Sequence, residues 1–538
     1  MLEHSVPIQG AGEDSRPGPG RRNTGGEVHR MREFPIGRLM AALALITTVA
    51  APVEGEGLAA FEARTTRHVL ANGWTFLIVE RPVAPVFSFA TLVDVGSAQE
   101  VPGITGLAHM FEHMAFKGTP VVGTTDYEAE AKAIEAMEAA YQAWQAERMN
   151  LDPDPGTLEK LEAAFREAQD EAARYVVPNE FDDVLSREGA VGMNAFTNTD
   201  QTGYFYSLPA NKLELFAYME SERFLHPVFR EFYKERDVVQ EERRLRTESQ
   251  PVGRLIEQFQ ATAFVAHPYK QPVVGYMSDL QSFTITDARR FYEGHYAPSN
   301  MVTAIVGDVK AGEVIPLLET YFGRIPAGEK APPLRTVEPP QIAEKTVVLE
   351  DPSQPVYLEG YHMAAVTDPD QPVWDAIDDI LSGGRTSRLY RSLVRDRKIA
   401  ATVGSFSQFP GSKYPTLWIA YAFPTPESSN EEVQAAIREE ISRIQEEPVG
   451  DEELQRFKAR AKAGLLRSLR DNQGLAFNLA QYETWFGDWR ELFRYLERID
   501  DVTAQDVLRV ADATLVPENR TVGMIVTENA EGPSSESR

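Results

Sequence analysis

The chain has 538 residues, 43% hydrophobic and 25% charged, so it is long enough for several domains and ordinary in composition for a soluble globular protein. Its formal net charge of −27 argues against nucleic acid or an anionic membrane surface as a partner. The sequence has no cysteine, which excludes a disulfide framework and leaves His, Glu and Asp as the ligands for any metal.

The N-terminal region has the features of an export signal. Residues 1–30 are rich in Gly, Pro, Arg and Ser and are predicted to be disordered. From Met31 onward, a charged start that includes Arg32 is followed by an apolar run at 39–49 and then by small residues, which is typical of a secretory signal. The run is short for a membrane span, although a single anchor helix is the alternative. We therefore expect the folded part to be periplasmic or secreted.

The segment between residues 66 and 95 has the pattern of β-strands. Asn72-Gly73 stands between two alternating apolar runs, which is a strong hairpin signal. Pro85 precedes a mostly apolar run, which predicts a buried strand.

The next segment, GLAHMFEHMAFKGT at 106–119, carries the pattern H-x-x-E-H in His109, Glu112 and His113. On a helix, positions i and i+4 share a face, so both imidazoles point the same way. Two neutral imidazoles suit zinc, and a carboxylate beside them can take a proton from a bound water. Two surface histidines are the alternative. However, apolar residues surround the motif and predict a buried helix, in which such a group needs partners or a metal.

Two further segments combine helical periodicity with a high content of Ala and Glu. They lie within 127–175 and are interrupted by LDPDPG at 151–156, which predicts a helical hairpin with Trp144 in its seam. A strand is predicted next, within 193–208.

The charged helix predicted at 232–246 offers candidates for a third metal ligand. Zinc in a catalytic site needs three protein ligands and leaves a fourth position for water. A Glu on a charged helix would by itself be read as part of a solvated face. Glu235 and Glu242 are seven residues apart and share a face, whereas Glu241 is rotated by about 100° from Glu242.

The second half of the chain repeats features of the first. A Pro-rich segment at 326–345 separates the halves and reads as a linker. Pro517-Glu518-Asn519 matches Pro298-Ser299-Asn300, and an apolar strand follows each. This predicts an α+β fold with two homologous domains from an internal duplication. The helix expected to mirror the histidine helix, at 374–384, contains no His, so only the first domain is expected to bind metal.

The histidine segment resembles the zinc helix of the insulinase/pitrilysin family of metallopeptidases. The resemblance draws on stretches from about residue 66 to 526. It implies two homologous α/β-sandwich domains that form one half of a clamshell chamber, and a zinc-dependent endopeptidase that cleaves unfolded peptides. The family's spacing between the His pair and the third ligand is shorter than here, so the hairpin is an insertion.

The resemblance also assigns roles to residues and bounds to domains. One zinc per chain is held by His109, His113 and Glu242, the second Glu of an E-x(6)-E pair. Glu112 is the general base, Glu235 has an auxiliary role, and Asn194, Ala195 and Phe196 contact the substrate backbone by strand addition. The predicted domains are a leader with signal at 1–57, a zinc-binding catalytic domain at 58–325 with its insertion at 127–178, the linker at 326–345, a metal-free domain at 346–528, and a disordered tail at 529–538.

A partner subunit is implied as well. In the family, one half of the chamber carries an Arg and a Tyr, seven apart, that hold the substrate and stabilise charge on its carbonyl. The matching positions here are Val394 and Ala401, which cannot donate hydrogen bonds from their side chains; Arg395 with Thr402 is the nearest alternative in register. We therefore expect a heterodimer with a related subunit that supplies the pair, with a homodimer as the alternative.

Two other functions remain open at this point. The chain could be an inactive or chaperone-like member that binds peptides or builds a complex, although an intact H-x-x-E-H argues against it. It could also be a zinc hydrolase acting on a small molecule, which a large chamber and strand-type binding disfavour. No nucleic-acid partner and no stable membrane span are expected.

Overall fold

A computed structural model describes residues 58–527, so the predicted signal and the C-terminal tail lie outside the described residues. The chain divides after residue 60, and of the first unit only 58–60 are described; the following paragraphs concern the unit that begins at Phe61. The helices are α1 (Leu58–Glu62), α2 (Leu107–Met114), α3 (Tyr127–Arg148), α4 (Pro155–Ala173), α5 (Glu180–Arg187), α6 (Leu213–Leu225), α7 (Phe232–Arg243), α8 (Pro251–Ala263), α9 (Met277–Leu280), α10 (Ile285–His295), α11 (Ala311–Tyr321), α12 (Gln371–Ser382), α13 (Asn430–Glu446), α14 (Asp451–Ser468), α15 (Asn472–Phe486), α16 (Glu491–Asp501) and α17 (Ala504–Thr514). Within the described residues, no helix is long and apolar enough to cross a membrane.

The strands form two mixed sheets. They are β1 (Thr65–Val69), β2 (Thr75–Glu80), β3 (Val86–Val93), β4 (Val191–Thr197), β5 (Thr202–Pro209), β6 (Met301–Gly307), β7 (Lys345–Asp351), β8 (Val356–Met363), β9 (Ala400–Phe409), β10 (Thr416–Pro424) and β11 (Arg520–Thr527). The first sheet has the order β1-β2-β6-β3-β5-β4 and the second has β7-β11-β8-β10-β9. The hairpin predicted at Asn72-Gly73 is confirmed, because β1 pairs antiparallel with β2 and Gly73 has a φ of 99° that favours glycine.

Strand order confirms the duplication and the α+β fold class. The five strands β2-β6-β3-β5-β4 of the first sheet correspond in order to β7-β11-β8-β10-β9 of the second. In each set the first pair is parallel and the other pairs are antiparallel. One sheet is therefore a topological copy of the other, with β1 added at an edge.

The repeated Pro-x-Asn turns make the same hydrogen bonds in both halves. The Asn300 side chain donates to the main-chain oxygen of His295, the last residue of α10, at 3.0 Å, and to that of Asp94, which follows β3, at 3.1 Å. The Asn519 side chain donates to the oxygen of Thr514, the last residue of α17, at 2.9 Å, and to a carbonyl of β8 at 2.8 Å. The amide thus ties the helix to its neighbouring strand in each copy.

Helix α15, which lies late in the chain, packs against the first sheet. Phe89 of β3 belongs to the core that includes α6, and because side chains alternate along a strand, its neighbours Ala90 and Leu92 point to the opposite face. That opposite face receives α15, whose Gln473 side chain donates to the Phe89 oxygen at 3.0 Å. Strand β3 is therefore buried on both faces, as its apolar sequence predicts.

The predicted helical hairpin is present as α3 and α4, and Trp144 stacks against Phe165 in its seam, as predicted. The Pro-rich segment at 326–345 contains neither helix nor strand before Lys345, where β7 begins. It is nevertheless fastened to the body of the protein, since the Glu338 carboxylate accepts hydrogen bonds from the N–H groups of residues 265, 266 and 267 at 2.8–2.9 Å. The domain bounds drawn from the sequence stay a prediction.

Candidate metal centre

Helix α2 carries the two predicted histidine ligands. It begins after Gly106, whose φ is 95° and where an added Cβ would lie 2.7 Å from the Val274 oxygen, so the turn requires glycine. The carboxylate of Glu100 accepts hydrogen bonds from the N–H groups of Gly106 and Ala108, both at 2.7 Å. Burial raises the pKa of Glu100 to about 8. The acid therefore stabilises the first turn of the helix, where backbone N–H groups lack partners within the helix.

Helix α7 brings the predicted third ligand to the two histidines. The Glu242 Oε2 atom lies 3.7 Å from His109 Nε2 and 3.5 Å from His113 Nε2. One ligand atom from each of these three residues lies within 4.8 Å of the others. Glu241 points away, as predicted, and forms an exposed pair with Arg244 at 3.0 Å. The structure thus brings together His109, His113 and Glu242 from helices separated by more than a hundred residues of sequence.

The two imidazoles are supported differently. His113 Nδ1 lies 3.4 Å from Glu235 Oε2, which leaves Nε2 facing Glu242. His109 Nδ1 is buried and has no hydrogen-bond partner in the described part of the protein. Only one of the two rings is therefore oriented by a hydrogen bond.

The ionisable groups of the cluster shift one another's pKa values. Burial lowers the pKa of His109 to about 4, with the charge of His113 adding to the effect. Burial opposes the charged form of His113 as well, but hydrogen bonds to Glu235 and Glu242 outweigh it and raise the pKa of His113 to about 9. For Glu242, burial is likewise outweighed, and its partners lower its pKa to about 2. The charged form of His113 that these partners favour must give up its proton before Nε2 can bind a metal, whereas His109 and Glu242 are already in the form that binds one.

Glu112, the predicted general base, lies on α2 between the histidines. Burial raises the pKa of Glu112 above its ordinary value. A carboxylate that accepts protons near neutral pH needs a pKa shifted in this direction. The environment therefore fits proton transfer.

The predicted substrate-contacting residues lie on β4, which is an edge strand of the first sheet and packs near α2. Asn194 is exposed, Ala195 is buried, and the half-buried Phe196 ring lies 5.7 Å from Phe477. Pairing with β5 shifts register between Val191 and Asn194, which marks a bulge. The backbone beyond this bulge is placed where an added strand could pair with it.

Two residues beside the candidate metal ligands were missed in the sequence. Lys117, which follows α2, forms an ion pair with Glu231 at 3.0 Å and another with Glu235. Arg246 Nη1 lies 2.5 Å from Glu242 Oε1, the oxygen that faces away from the histidine contacts. The four-residue spacings from His113 to Lys117 and from Glu242 to Arg246 are signals that could have found both.

The helical hairpin contributes no ligand to the cluster, yet it braces α7. The Tyr233 hydroxyl donates to Glu138 of α3 at 2.5 Å, and Arg236 donates to the Tyr141 hydroxyl at 2.5 Å. Both Tyr233 and Arg236 are buried residues of the helix that carries Glu242. The hairpin therefore packs against α7 and helps to position the helix that carries Glu242.

The second half has no metal cluster among its described residues. Helix α12 follows β8 as α2 follows β3, and it carries Asp375, Asp378 and Asp379 at the spacing of His109, Glu112 and His113. Each carboxylate is already engaged. The partners are the Tyr495 hydroxyl for Asp375, the Trp418 indole for Asp378 and the Arg460 guanidinium for Asp379.

A duplicated α+β fold whose first half presents H-x-x-E-H opposite a glutamate on a second helix defines a protein of the inverted zinc-peptidase class. A family model described as "Insulinase (Peptidase family M16)" matches residues 75–150, and one described as "Peptidase M16 inactive domain" matches residues 282–461. The chain belongs to the insulinase family, peptidase family M16, as its histidine helix predicts.

Related proteins with curated names are called zinc proteases. The zinc protease PqqE of Helicobacter pylori is 29% identical over 496 residues, which cover 90% of this chain and 97% of that protein. An uncharacterized zinc protease of Mycobacterium leprae is 24% identical, over 86% of this chain and 92% of the relative. The similarity therefore extends through both sheets.

Solved structures show the same fold. A protease from Helicobacter pylori matches with a TM-score of 0.71 and 26% identity, over 86% of this chain and 99% of that one. The periplasmic protease PqqL of Escherichia coli matches with a TM-score of 0.63 and 18% identity, and the match covers 86% of this chain but 47% of PqqL. The fold described here thus corresponds in length to about half of PqqL.

Proposed function

We propose that the chain is a zinc-dependent endopeptidase that hydrolyses unfolded peptides or protein segments. The observation that carries this proposal is the convergence of His109, His113 and Glu242, whose ligand atoms lie within 4.8 Å of one another. The donor set fits zinc, since it offers two imidazoles and one carboxylate and leaves room for water. The names of the related zinc proteases support the same metal.

Each residue of the site has its own role in the proposed reaction. His109 and His113, through Nε2, and Glu242, through Oε2, would hold one zinc, which when bound lowers the pKa of a water and polarises a carbonyl. Glu112 takes the proton of the attacking water as the new C–O bond forms, and later delivers it to the leaving amine as the peptide C–N bond breaks. Glu235 orients His113. The β4 edge, at Asn194, Ala195 and Phe196, holds the peptide extended by main-chain hydrogen bonds.

Substitution of Glu112 tests this mechanism. Glu112→Gln should abolish hydrolysis of an unfolded peptide while zinc stays bound, because the amide cannot accept the proton and neither imidazole is disturbed. His113→Ala and Glu242→Ala should lose zinc as well. Glu241→Gln is the matched control, since Glu241 lies next to Glu242 but pairs with Arg244 at the surface, and it should keep both zinc and activity.

Zinc content by elemental analysis and cleavage of a fluorogenic unfolded peptide give the two readouts. If the Glu112→Gln variant retained most of the activity, Glu112 would not be the general base. An unmodified chain that binds no zinc would refute the proposal.

We further propose that the active form is a heterodimer with a related subunit. The positions that match the family's Arg and Tyr are Val394, half-buried against the second core, and Ala401, which is exposed; neither offers a side-chain donor. The correspondence to about half of PqqL supports two such halves in one chamber. Purified chain should gain activity on addition of the partner, and full activity of the isolated chain, unchanged by the partner, would refute the divided site.

The lack of side-chain donors at Val394 and Ala401 also supports a second candidate function, that of an inactive or chaperone-like peptide-binding subunit. The description of the second matched family model as an inactive domain supports it too. Zinc binding without cleavage of any unfolded peptide, with or without a partner, would favour this candidate over the endopeptidase.

A periplasmic location is proposed from the signal-like sequence after Met31, and the periplasmic protease PqqL among the structural neighbours supports it. Protein purified from the native host should begin near residues 51–58 on N-terminal sequencing. An intact Met1 or Met31 in a cytosolic fraction would exclude export.

A further inference from the structure

Lys117 connects the two helices of the metal centre. It follows α2, and its Nζ lies 3.0 Å from Glu231 Oε2 and also contacts Glu235 Oε1. The three side chains are only 12–18% exposed, so they form an ion cluster largely withdrawn from water. Burying such an ion pair costs desolvation free energy, and removing one partner strongly destabilises the protein because the other charge stays buried without a counter-charge. The cluster therefore holds a defined geometry.

Glu235 is shared between Lys117 and His113. Its Oε1 atom contacts the ammonium, while its Oε2 atom lies 3.4 Å from His113 Nδ1. A carboxylate held at both oxygens cannot rotate about its last torsion, so the Lys117 contact fixes the oxygen that orients the imidazole. The opposite nitrogen, His113 Nε2, then points at Glu242.

Glu231 provides a second anchor for the lysine. It precedes α7 with a φ of 56°, a left-handed conformation that is costly for a residue with a side chain. The carboxylate of Glu231 is thereby placed between Lys117 and Lys234, at 3.0 and 2.7 Å. Lys234 is 65% exposed and its ion-pair partner among the described residues is Glu231, whereas Lys117 also reaches Glu235.

The two histidines depend unequally on such support. His109 Nδ1 has no hydrogen-bond partner among the described residues, so of the two rings only His113 is oriented through Nδ1, by its contact with Glu235. Partners that orient a metal-bound histidine in this way typically change metal affinity about 10- to 100-fold when removed.

We propose that Lys117 is a positioning residue of the metal centre, which holds Glu235 against His113 Nδ1 and thereby sets the affinity for zinc. The inference rests on the proposed function, because it concerns the affinity of that same site. Lys117 touches neither metal nor substrate in this role and acts through Glu235.

Zinc dissociation constants, measured by competition with a chromophoric chelator, test the proposal without reference to activity. Lys117→Met should weaken zinc binding about 10-fold or more. Lys234→Met, which removes the other lysine from Glu231, is the matched control and should change the constant less than about two-fold. In a protein that already carries Glu235→Gln, Lys117→Met should raise the zinc dissociation constant by less than about a further two-fold, because the residue through which Lys117 acts is already altered.

The outcomes separate the positioning role of Lys117 from the existence of the zinc site. Equal zinc affinity of Lys117→Met and Lys234→Met, or an undiminished loss in the Glu235→Gln background, would overturn the positioning role and leave the zinc site standing. Failure of the unmodified chain to bind zinc would instead overturn the proposed function. Circular dichroism checks folding. If Lys117→Met is unfolded, the comparison is repeated with Lys117→Gln, which keeps part of the aliphatic stem and a polar end but no charge, and which should also weaken zinc binding.

Discussion

Arg230 is the residue whose substitution should destabilise the first half of the protein most clearly. Its side chain is 2% exposed and forms a two-pronged ion pair with Glu130 of the hairpin, at 2.6 Å from Nε and 2.8 Å from Nη2. The remaining donors reach the main-chain oxygens of Lys117, Thr119 and Val122, in the loop that follows α2. One guanidinium thus joins the hairpin, the loop after the histidine helix and the start of α7.

Arg230→Met removes these donors at nearly constant volume. It leaves the carboxylate of Glu130, which is 1% exposed, without its counter-charge, and breaking a buried pair in this way costs about 3–5 kcal/mol. If the unit of about 480 residues that begins at Phe61 unfolds together, its entropy of unfolding is about 1 kcal/mol per degree. The midpoint of thermal unfolding should therefore fall by about 3–5 °C.

Differential scanning calorimetry of three variants tests the reasoning. Glu128→Gln breaks an exposed pair with Lys132 on the same helix, 84% and 72% exposed, and should shift the midpoint by less than about 1 °C. The double variant Glu130→Met with Arg230→Met should recover part of the loss, because both buried charges are gone while the loop carbonyls stay unpaired. A midpoint for Arg230→Met equal to that of Glu128→Gln would refute the argument.

Three further predictions concern the rest of the fold. Burial raises the pKa of Asp378 from 3.8 to about 7, so the stabilising contribution of this carboxyl is fully present below about pH 4 and is lost as the pH rises through 7. Asp378→Asn should therefore flatten the pH dependence of the melting temperature between about pH 4 and 7 in calorimetry. Asn300→Ala and Asn519→Ala should each lower the melting temperature by about 2–4 °C, since each leaves two carbonyls unpaired, and a fall in one variant alone would contradict the equivalence of the two turns. Gly118→Ala, whose Cβ would lie 2.2 Å from the Val122 oxygen at a φ of 89°, should lower the melting temperature more than Gly312→Ala, where no atom lies within 4 Å.

Features that depend on short stretches of sequence could be predicted. The Asn72-Gly73 hairpin, the spacing of His109 and His113 on one helix face and the repeated Pro-x-Asn turns each express a local rule of backbone geometry. The α+β duplication followed from the repetition of those local signals. What these rules specify is a list of elements and the faces they bury.

Contacts between distant residues could not be predicted in this way. Lys117 meets Glu231 across 114 positions, and Arg230 meets Glu130 across 100 positions. In the sequence each of these charges looks like an ordinary solvated side chain, because burial depends on which elements pack together. The missed support of the metal centre therefore lies in tertiary packing, whereas its candidate ligands lie in a local motif.

The packing of α15 on the first sheet has a consequence for the order of events during synthesis. Gln473 bonds to Phe89 across 384 positions, so one face of the first sheet is covered by a helix made late. At about 5–20 residues per second, the apolar face of β3 waits on the order of 20–80 s for that cover. The nascent first half must therefore be shielded by other means until most of the chain has left the ribosome, and a fragment ending at the Pro-rich segment would keep that face bare permanently.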